Sequence, residues 1–180
     1  TEVKNRVDLL LVVGSDIEVG FPSFFERMVW NKESMFDQDI ESREVVYLGT
    51  APSGDASMSP SGKKAQVLAC DDADLPEVLS VLRALVKGKA IQAKSVGGIE
   101  VSVLTDLAEQ LKNAKYSVVT WAAAMLDFEH AEVTVQTICE MVKDLNLKTR
   151  SSGLPLAGKD GEITANQVSA WQSGFPMRTN

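Results

Sequence analysis

The chain has 180 residues, 44% of them hydrophobic, which suffices for one globular unit around its own core. A formal net charge of −7, with Lys63-Lys64 the main basic pair, argues against a nucleic-acid or anionic-membrane partner, because phosphate binding needs clustered Lys and Arg. Two cysteines far apart in sequence, Cys70 and Cys139, each within an apolar stretch, read as reduced core residues of a cytoplasmic protein rather than a disulfide framework.

In chain order, Thr1 to Arg6 is too polar for a signal peptide, and no apolar run approaches the roughly 18 residues of a membrane span. With Thr where Met would stand, the expectation is a processed product or an excised fragment. Asp8 to Val13 is a continuous apolar run ending at Gly14, the pattern of a strand buried on both faces. Ser15 or Asp16 can cap a short helix through Phe21 to Val29. Glu44 to Leu48 and Gln66 to Cys70 read as the next two strands, separated by a loop rich in Ser, Gly and Pro.

Asp74-Leu75-Pro76-Glu77 supplies an Asp cap, a first-turn Pro and a Glu three residues on, ahead of Val78, Leu79, Leu82, Leu85 and Val86 at helical spacing. A connector over 87–100 leads to a second amphipathic helix from about Ser102 to Asn113. Tyr116 to Trp121 is β-branched and aromatic and predicts a fourth strand. Helical periodicity follows from Glu129 to Leu145, then a fifth strand within Lys148 to Leu156, its length limited by Gly153 and Pro155. Thr164-Ala165-Asn166-Gln167 has capping-box form and predicts a short helix through about Trp171. Strands alternating with helices predict an α/β fold in layers, with a mostly parallel sheet of about five strands.

The turn Gly14-Ser15-Asp16 is the first place to seek a ligand, since open parallel sheets bind at the carboxyl ends of their strands. A dinucleotide fingerprint needs three closely spaced glycines, whereas Gly14 is followed only by Gly20, so a plain strand-end turn stands beside a working or vestigial nucleotide site. Ser61-Gly62-Lys63-Lys64 lacks the earlier Gly of a phosphate loop, Ser57 standing there, and reads as a solvated turn. His130 is the single histidine and neither cysteine has a ligand partner at metal spacing, so no metal site and no Ser-His-Asp or Cys-His centre is expected. Asp71, Asp72 and Asp74 are read as capping the following helix rather than as a cation cluster. Near the far end, turn chemistry accounts for Gly161 and Thr164 but not for Asn166, Gln167, Trp171 and Gln172, which suit a partly wet interface.

Leu154-Pro155-Leu156-Ala157-Gly158, then Ala165-Asn166-Gln167-Val168 and Trp171-Gln172-Ser173-Gly174-Phe175-Pro176, resemble the corresponding run in the B subunit of formylmethanofuran dehydrogenases and related formyltransferase/hydrolase complexes. Asp8 to Gly14, the Leu79 to Leu85 helix with Arg83, Leu111-Lys112-Asn113-Ala114-Lys115-Tyr116 and Val142-Lys143-Asp144-Leu145-Asn146 fall in the family's order. The resemblance covers essentially the whole chain, with the loops around Asn31 to Ser42 and Thr50 to Ser61 matching poorly.

That resemblance implies a Rossmann-like, three-layer domain of the molybdopterin oxidoreductase superfamily, a middle piece of a longer polypeptide. Redox members hold one guanine-dinucleotide half of a paired pterin there, using Gly-x-Asn-Pro after the first strand and Asp-Pro-Arg after a later one. Here the first reads Gly14-Ser15-Asp16-Ile17, and the second strand runs into Leu48-Gly49-Thr50-Ala51-Pro52. Asp16 would set a negative charge near a phosphate unless a cation intervenes. Any iron–sulfur cysteines would lie upstream of this segment.

The expectation is therefore a site with Gly14, Ser15 and Asp16 as relics, with no cofactor and no catalytic residue in this chain. The implied role is an assembly segment, partnered by the other subunits of a formyltransferase/hydrolase complex in tetrahydromethanopterin- and methanofuran-linked C1 metabolism. The alternative is a domain binding molybdopterin guanine dinucleotide in a molybdenum or tungsten formylmethanofuran dehydrogenase. A free-standing small-nucleotide domain is a third reading.

Overall fold

A computed structural model describes residues 2–35, 39–156 and 162–175. Helix α1 (Glu2–Arg6) leads into strand β1 (Leu9–Val13), followed by α2 (Ile17–Gly20), a π-helical turn over Phe25–Val29 and a 3-10 turn over Ile40–Ser42. Strands β2 (Glu44–Gly49) and β3 (Gln66–Ala69) precede α3 (Leu75–Val86). A small hairpin, β4 (Ser95–Val96) and β5 (Ile99–Glu100), then enters α4 (Val101–Asn113). Strand β6 (Ser117–Ala122), a 3-10 turn over Ala123–Met125, α5 (Ala131–Leu145), β7 (Ser151–Leu156) and α6 (Glu162–Ser173) complete the order.

Five strands form one sheet in the order β3-β2-β1-β6-β7, every pair parallel, as the α/β reading predicts. The first strand of the sequence is the middle strand of the sheet. Its side chains alternate between two cores, which produces three layers. Leu9, Leu11 and Val13 pack with α3, α4 and α5, whereas Leu10 and Val12 pack with Val3, Ile17, Phe25 and Val29. The buried Arg43 guanidinium pins the second layer, donating to the carbonyls of Lys4 and Val29.

Several joints hold the layers in register. The Asp8 carboxylate accepts the N–H groups of Lys115 and Tyr116, at 2.7 and 2.9 Å, so the entry to β6 is fixed against the start of β1. Arg83 on α3 meets Asp144 at 2.7 Å and Glu140 at 3.2 Å on α5. Asn146, at the end of α5, accepts the Ser151 N–H and donates to the Ser151 carbonyl, seating β7.

The structure corrects four expectations. Asp74 occupies the N-cap position of α3 but in a helical conformation, φ −91° and ψ −18°, and makes no side-chain cap bond. A backbone turn replaces it, with the Asp71 carbonyl accepting the N–H groups of Asp74 and Leu75. Helix α6 begins at Glu162, so Thr164 lies within its first turn and is not the cap. The connector over 87–100 contains the β4–β5 hairpin, turned by Gly97 and Gly98 with φ of 54° and 76°. A Cβ on Gly97 would also stand 2.6 Å from Val78 Cγ2, so the turn needs glycine for space as well. Finally, Cys139 is exposed on α5 and only Cys70 is partly buried. Gly158, Lys159, Asp160, Gly161 and Pro176, singled out in the sequence, lie outside the described residues.

Among the described residues, no helix is long and apolar enough to cross a membrane.

Candidate functional site at the carboxyl edge of the sheet

The strand order reverses direction at β1, whose neighbours β2 and β6 lead away to opposite sides, and the crevice beyond β1 and β6 is where such sheets bind ligands. The last aligned β1–β6 pair is Val12 opposite Thr120. Just beyond it the chain turns at Gly14, with φ +56°, whose N–H donates to the Leu48 carbonyl at 2.8 Å. Ser15 is buried, and its Oγ donates to the Val13 carbonyl and accepts the Ala122 N–H, both at 3.0 Å. One hydroxyl thus bridges the two strands where the crevice would open.

The space over the turn is filled with hydrocarbon. A Cβ placed on Gly14 would lie 2.6 Å from Leu75 Cδ2 and 2.7 Å from Leu126 Cδ2. Leu75 comes from the first turn of α3 and Leu126 from the segment after β6, and both are buried.

Asp16 and Glu18 use their carboxylates on backbone donors. Asp16 caps α2 by accepting the Glu18 N–H at 3.1 Å, and its other oxygen accepts the Ser53 N–H at 3.0 Å. Glu18 accepts the Ser57 N–H at 2.7 Å. Trp30 Nε1 donates to the Ala56 carbonyl at 3.0 Å, so the loop after β2 is tied down at three points. Beneath it Tyr47 is fully buried. Burial pushes its hydroxyl pKa well above the ordinary phenol value, the charges of Glu18 and Asp16 add to the rise, and Ser57 opposes it.

Of the sequence candidates, Gly14, Ser15 and Asp16 are brought together with residues that no motif marks: Leu75, Leu126, Ala122, Glu18 and Tyr47. The second group stands on α6. Gln167 and Trp171 are four residues apart on one face, Gln172 is adjacent, and Asn166 falls about 140° away from Trp171 around the helix. Trp171 is 88% exposed, with Val168 and Phe175 also exposed. A separate apolar groove of about 490 Å³ beside β6 and β7 is lined by Phe24, Met28, Tyr116, Val118, Leu154 and Leu156.

Comparison with known proteins gives relatives along the whole chain. It is 25% identical over 178 residues to the B subunit of the tungsten-containing formylmethanofuran dehydrogenase 2 of Methanocaldococcus jannaschii, covering 98% of this chain. A second relative of the same description, from Methanococcus maripaludis, is 25% identical over 177 residues. The resemblance to B subunits of formylmethanofuran dehydrogenases thus extends over nearly the whole chain. It spans about 40% of the length of these two relatives. Among solved structures, the formyltransferase/hydrolase complex from Methylorubrum extorquens, in complex with methylofuran, has a chain that superposes with a TM-score of 0.64 and 25% identity. That match covers 97% of this chain and 43% of the other. No protein-family model matches.

The segments that carry the family resemblance are the joints of the scaffold. Arg83 and Asp144 sit in two of them and meet each other, Lys115 and Tyr116 meet Asp8, and Asn146 seats β7.

Proposed function

We propose that the chain is a structural, non-catalytic segment of the B subunit in a formyltransferase/hydrolase complex, assembled with the other subunits and holding no pterin cofactor. The observation that carries this reading is the packed turn at Gly14, where Leu75 and Leu126 crowd the space beside the glycine Cα. The residues present do not fit molybdopterin guanine dinucleotide. A pyrophosphate is bound by free N–H groups at a strand-to-helix turn, and Asp16 already occupies the Glu18 N–H there. Asp16 and Glu18 also hold the Ser53 and Ser57 N–H groups of the next loop. Two fixed carboxylates at that position repel an incoming phosphate.

Two further features support an assembly role. The apolar groove beside β6 and β7, and the exposed Trp171 with Gln167 and Gln172 beside it, have the mixed apolar and amide character of a protein interface. The rival reading, a cofactor-bearing part of a tungsten or molybdenum dehydrogenase, draws on the names of the two archaeal relatives.

Co-purification tests the assembly role. Trp171→Ala is expected to weaken recovery of the partner subunits while leaving the circular-dichroism spectrum and unfolding midpoint of the domain unchanged. Full recovery of the complex would count against an interface at α6.

A further inference from the structure

Two apolar surfaces stand open on consecutive elements of the chain, β7 and α6. The first is the groove of about 490 Å³ walled by Phe24, Met28, Tyr116, Val118, Leu154 and Leu156. Polar groups in its wall are already satisfied: the Tyr116 hydroxyl donates to Ser152 Oγ at 3.0 Å, and Glu2 pairs with Arg6 at 2.8 Å. The groove therefore suits hydrocarbon better than a polar ligand. The second surface is on α6, where Val168 and Trp171, three residues apart, share a face and are 41% and 88% exposed. Phe175, also exposed, is fixed just past the helix end. Its N–H donates to Ser173 Oγ and its carbonyl accepts the Ser169 and Ser173 hydroxyls, all at 3.2 Å.

Area decides what kind of partner completes these surfaces. A buried aromatic side chain removes about 150–250 Å² from water. Trp171 and Phe175 seated in one groove, together with the wall they cover, would bury roughly 600–1,000 Å², which is less than a stable association needs. Two helices in two grooves reach roughly 1,200–2,000 Å², the size of a specific interface. A helix from an unrelated protein supplies only the lesser area, whereas a second copy of this chain supplies both contacts at once. Placement agrees, because a two-fold contact needs one patch that carries both complementary halves. Strand β7 gives Leu154 and Leu156 to the groove, and α6 follows with only residues 157–161 between, a reach of about 20 Å at most.

We propose that the chain pairs with a second copy of itself about a two-fold axis, α6 of each copy laying Val168, Trp171 and Phe175 into the groove beside β6 and β7 of the other. The inference rests on the assembly reading above in taking both surfaces as interface, and it names their partner. Each copy carries a net charge of −7, so the contact is held by hydrocarbon against a repulsion that salt screens. Pairing should therefore strengthen from low to moderate ionic strength.

The test is the mass of the chain by sedimentation equilibrium across the micromolar range, at low and moderate salt, where a dimer is expected. Trp171→Ala should raise the dimer Kd by about 30-fold or more, the scale of a central aromatic anchor. Met28→Glu, which puts a charge in the groove and leaves α6 untouched, should do the same, and so keeps the test open if the helix variant does not fold. A monomer at every concentration, or a dimer that survives either substitution, would overturn the proposal. A monomer whose Trp171 is nonetheless shielded from acrylamide would overturn it by assigning the groove to the chain's own α6. Recovery of the other subunits is a separate readout, so this inference and the assembly reading can fail independently.

Discussion

Ser15 and Ala122 are 107 positions apart in sequence, yet the Ala122 N–H donates to Ser15 Oγ at 3.0 Å inside the protein. This bond joins the end of β6 to the turn after β1, at the edge where an open parallel sheet ordinarily admits its ligand. Ser15 serves here as internal structure, its Oγ also donating to the Val13 carbonyl.

Ser15→Ala removes that acceptor and leaves a buried N–H unpaired, along with the lost bond to Val13. The expected cost is about 1–3 kcal/mol in urea unfolding, with an unchanged m-value. A change below a few tenths of a kcal/mol would mean that another group or water takes the Ala122 N–H.

Gly14→Ala combines a positive φ with a collision against Leu75 and Leu126. It is expected to destabilise by about 1–3 kcal/mol, because the added methyl enters an already packed corner. Adding Leu126→Val should recover part of the loss by shortening the obstructing side chain. No recovery would assign the cost to backbone conformation alone.

Arg83 and Asp144 join α3 to α5 with side chains 28% and 13% exposed. Solvent screening limits such a pair, so Asp144→Asn should cost about 1 kcal/mol, less at high salt. Urea unfolding at low and high ionic strength measures this, and an equal deficit under both conditions would contradict an electrostatic origin.

The two thiols should separate by reactivity. Burial, then the charges of Asp74, Asp71 and Asp72, push the Cys70 thiol up to about 11, while Cys139 is exposed. At pH 8 the folded chain should label with iodoacetamide at Cys139 first, and at Cys70 chiefly after unfolding. A pKa raised on folding means that the folded state holds its proton longer. The associated stability is therefore complete below the ordinary thiol value of 9.0 and is lost as pH rises from there towards 11. Cys70→Ala should flatten the stability curve in that window, and an identical curve would refute the assignment.

Much of the fold was legible because it rests on local pattern. The unbroken run from Leu9 to Val13 could only be a strand covered on both faces, and the spacing of Val78, Leu79, Leu82 and Leu85 marked α3. The hairpin at Gly97-Gly98 was hidden because two-residue strands carry no periodicity, although the paired glycines were a turn signal. Asp74 misled because its cap signature is also compatible with a backbone turn entering the helix. At the site, the sequence located Gly14-Ser15-Asp16 but not what surrounds it. Leu75, Ala122 and Leu126 reach that turn only through the strand order β3-β2-β1-β6-β7, which no local pattern encodes. Glu18 and Tyr47 escaped notice because a buried carboxylate and phenol lack a signature until their burial is known.

The most direct test of the central claim is metal analysis with pterin extraction on the full-length polypeptide purified in its complex. The account predicts neither molybdenum nor tungsten in stoichiometric amount and no guanine-dinucleotide pterin, because Leu75 and Leu126 crowd the Gly14 turn and Ser15 and Asp16 are bonded within the chain. One equivalent of either metal with extractable pterin, bound through this segment, would contradict it.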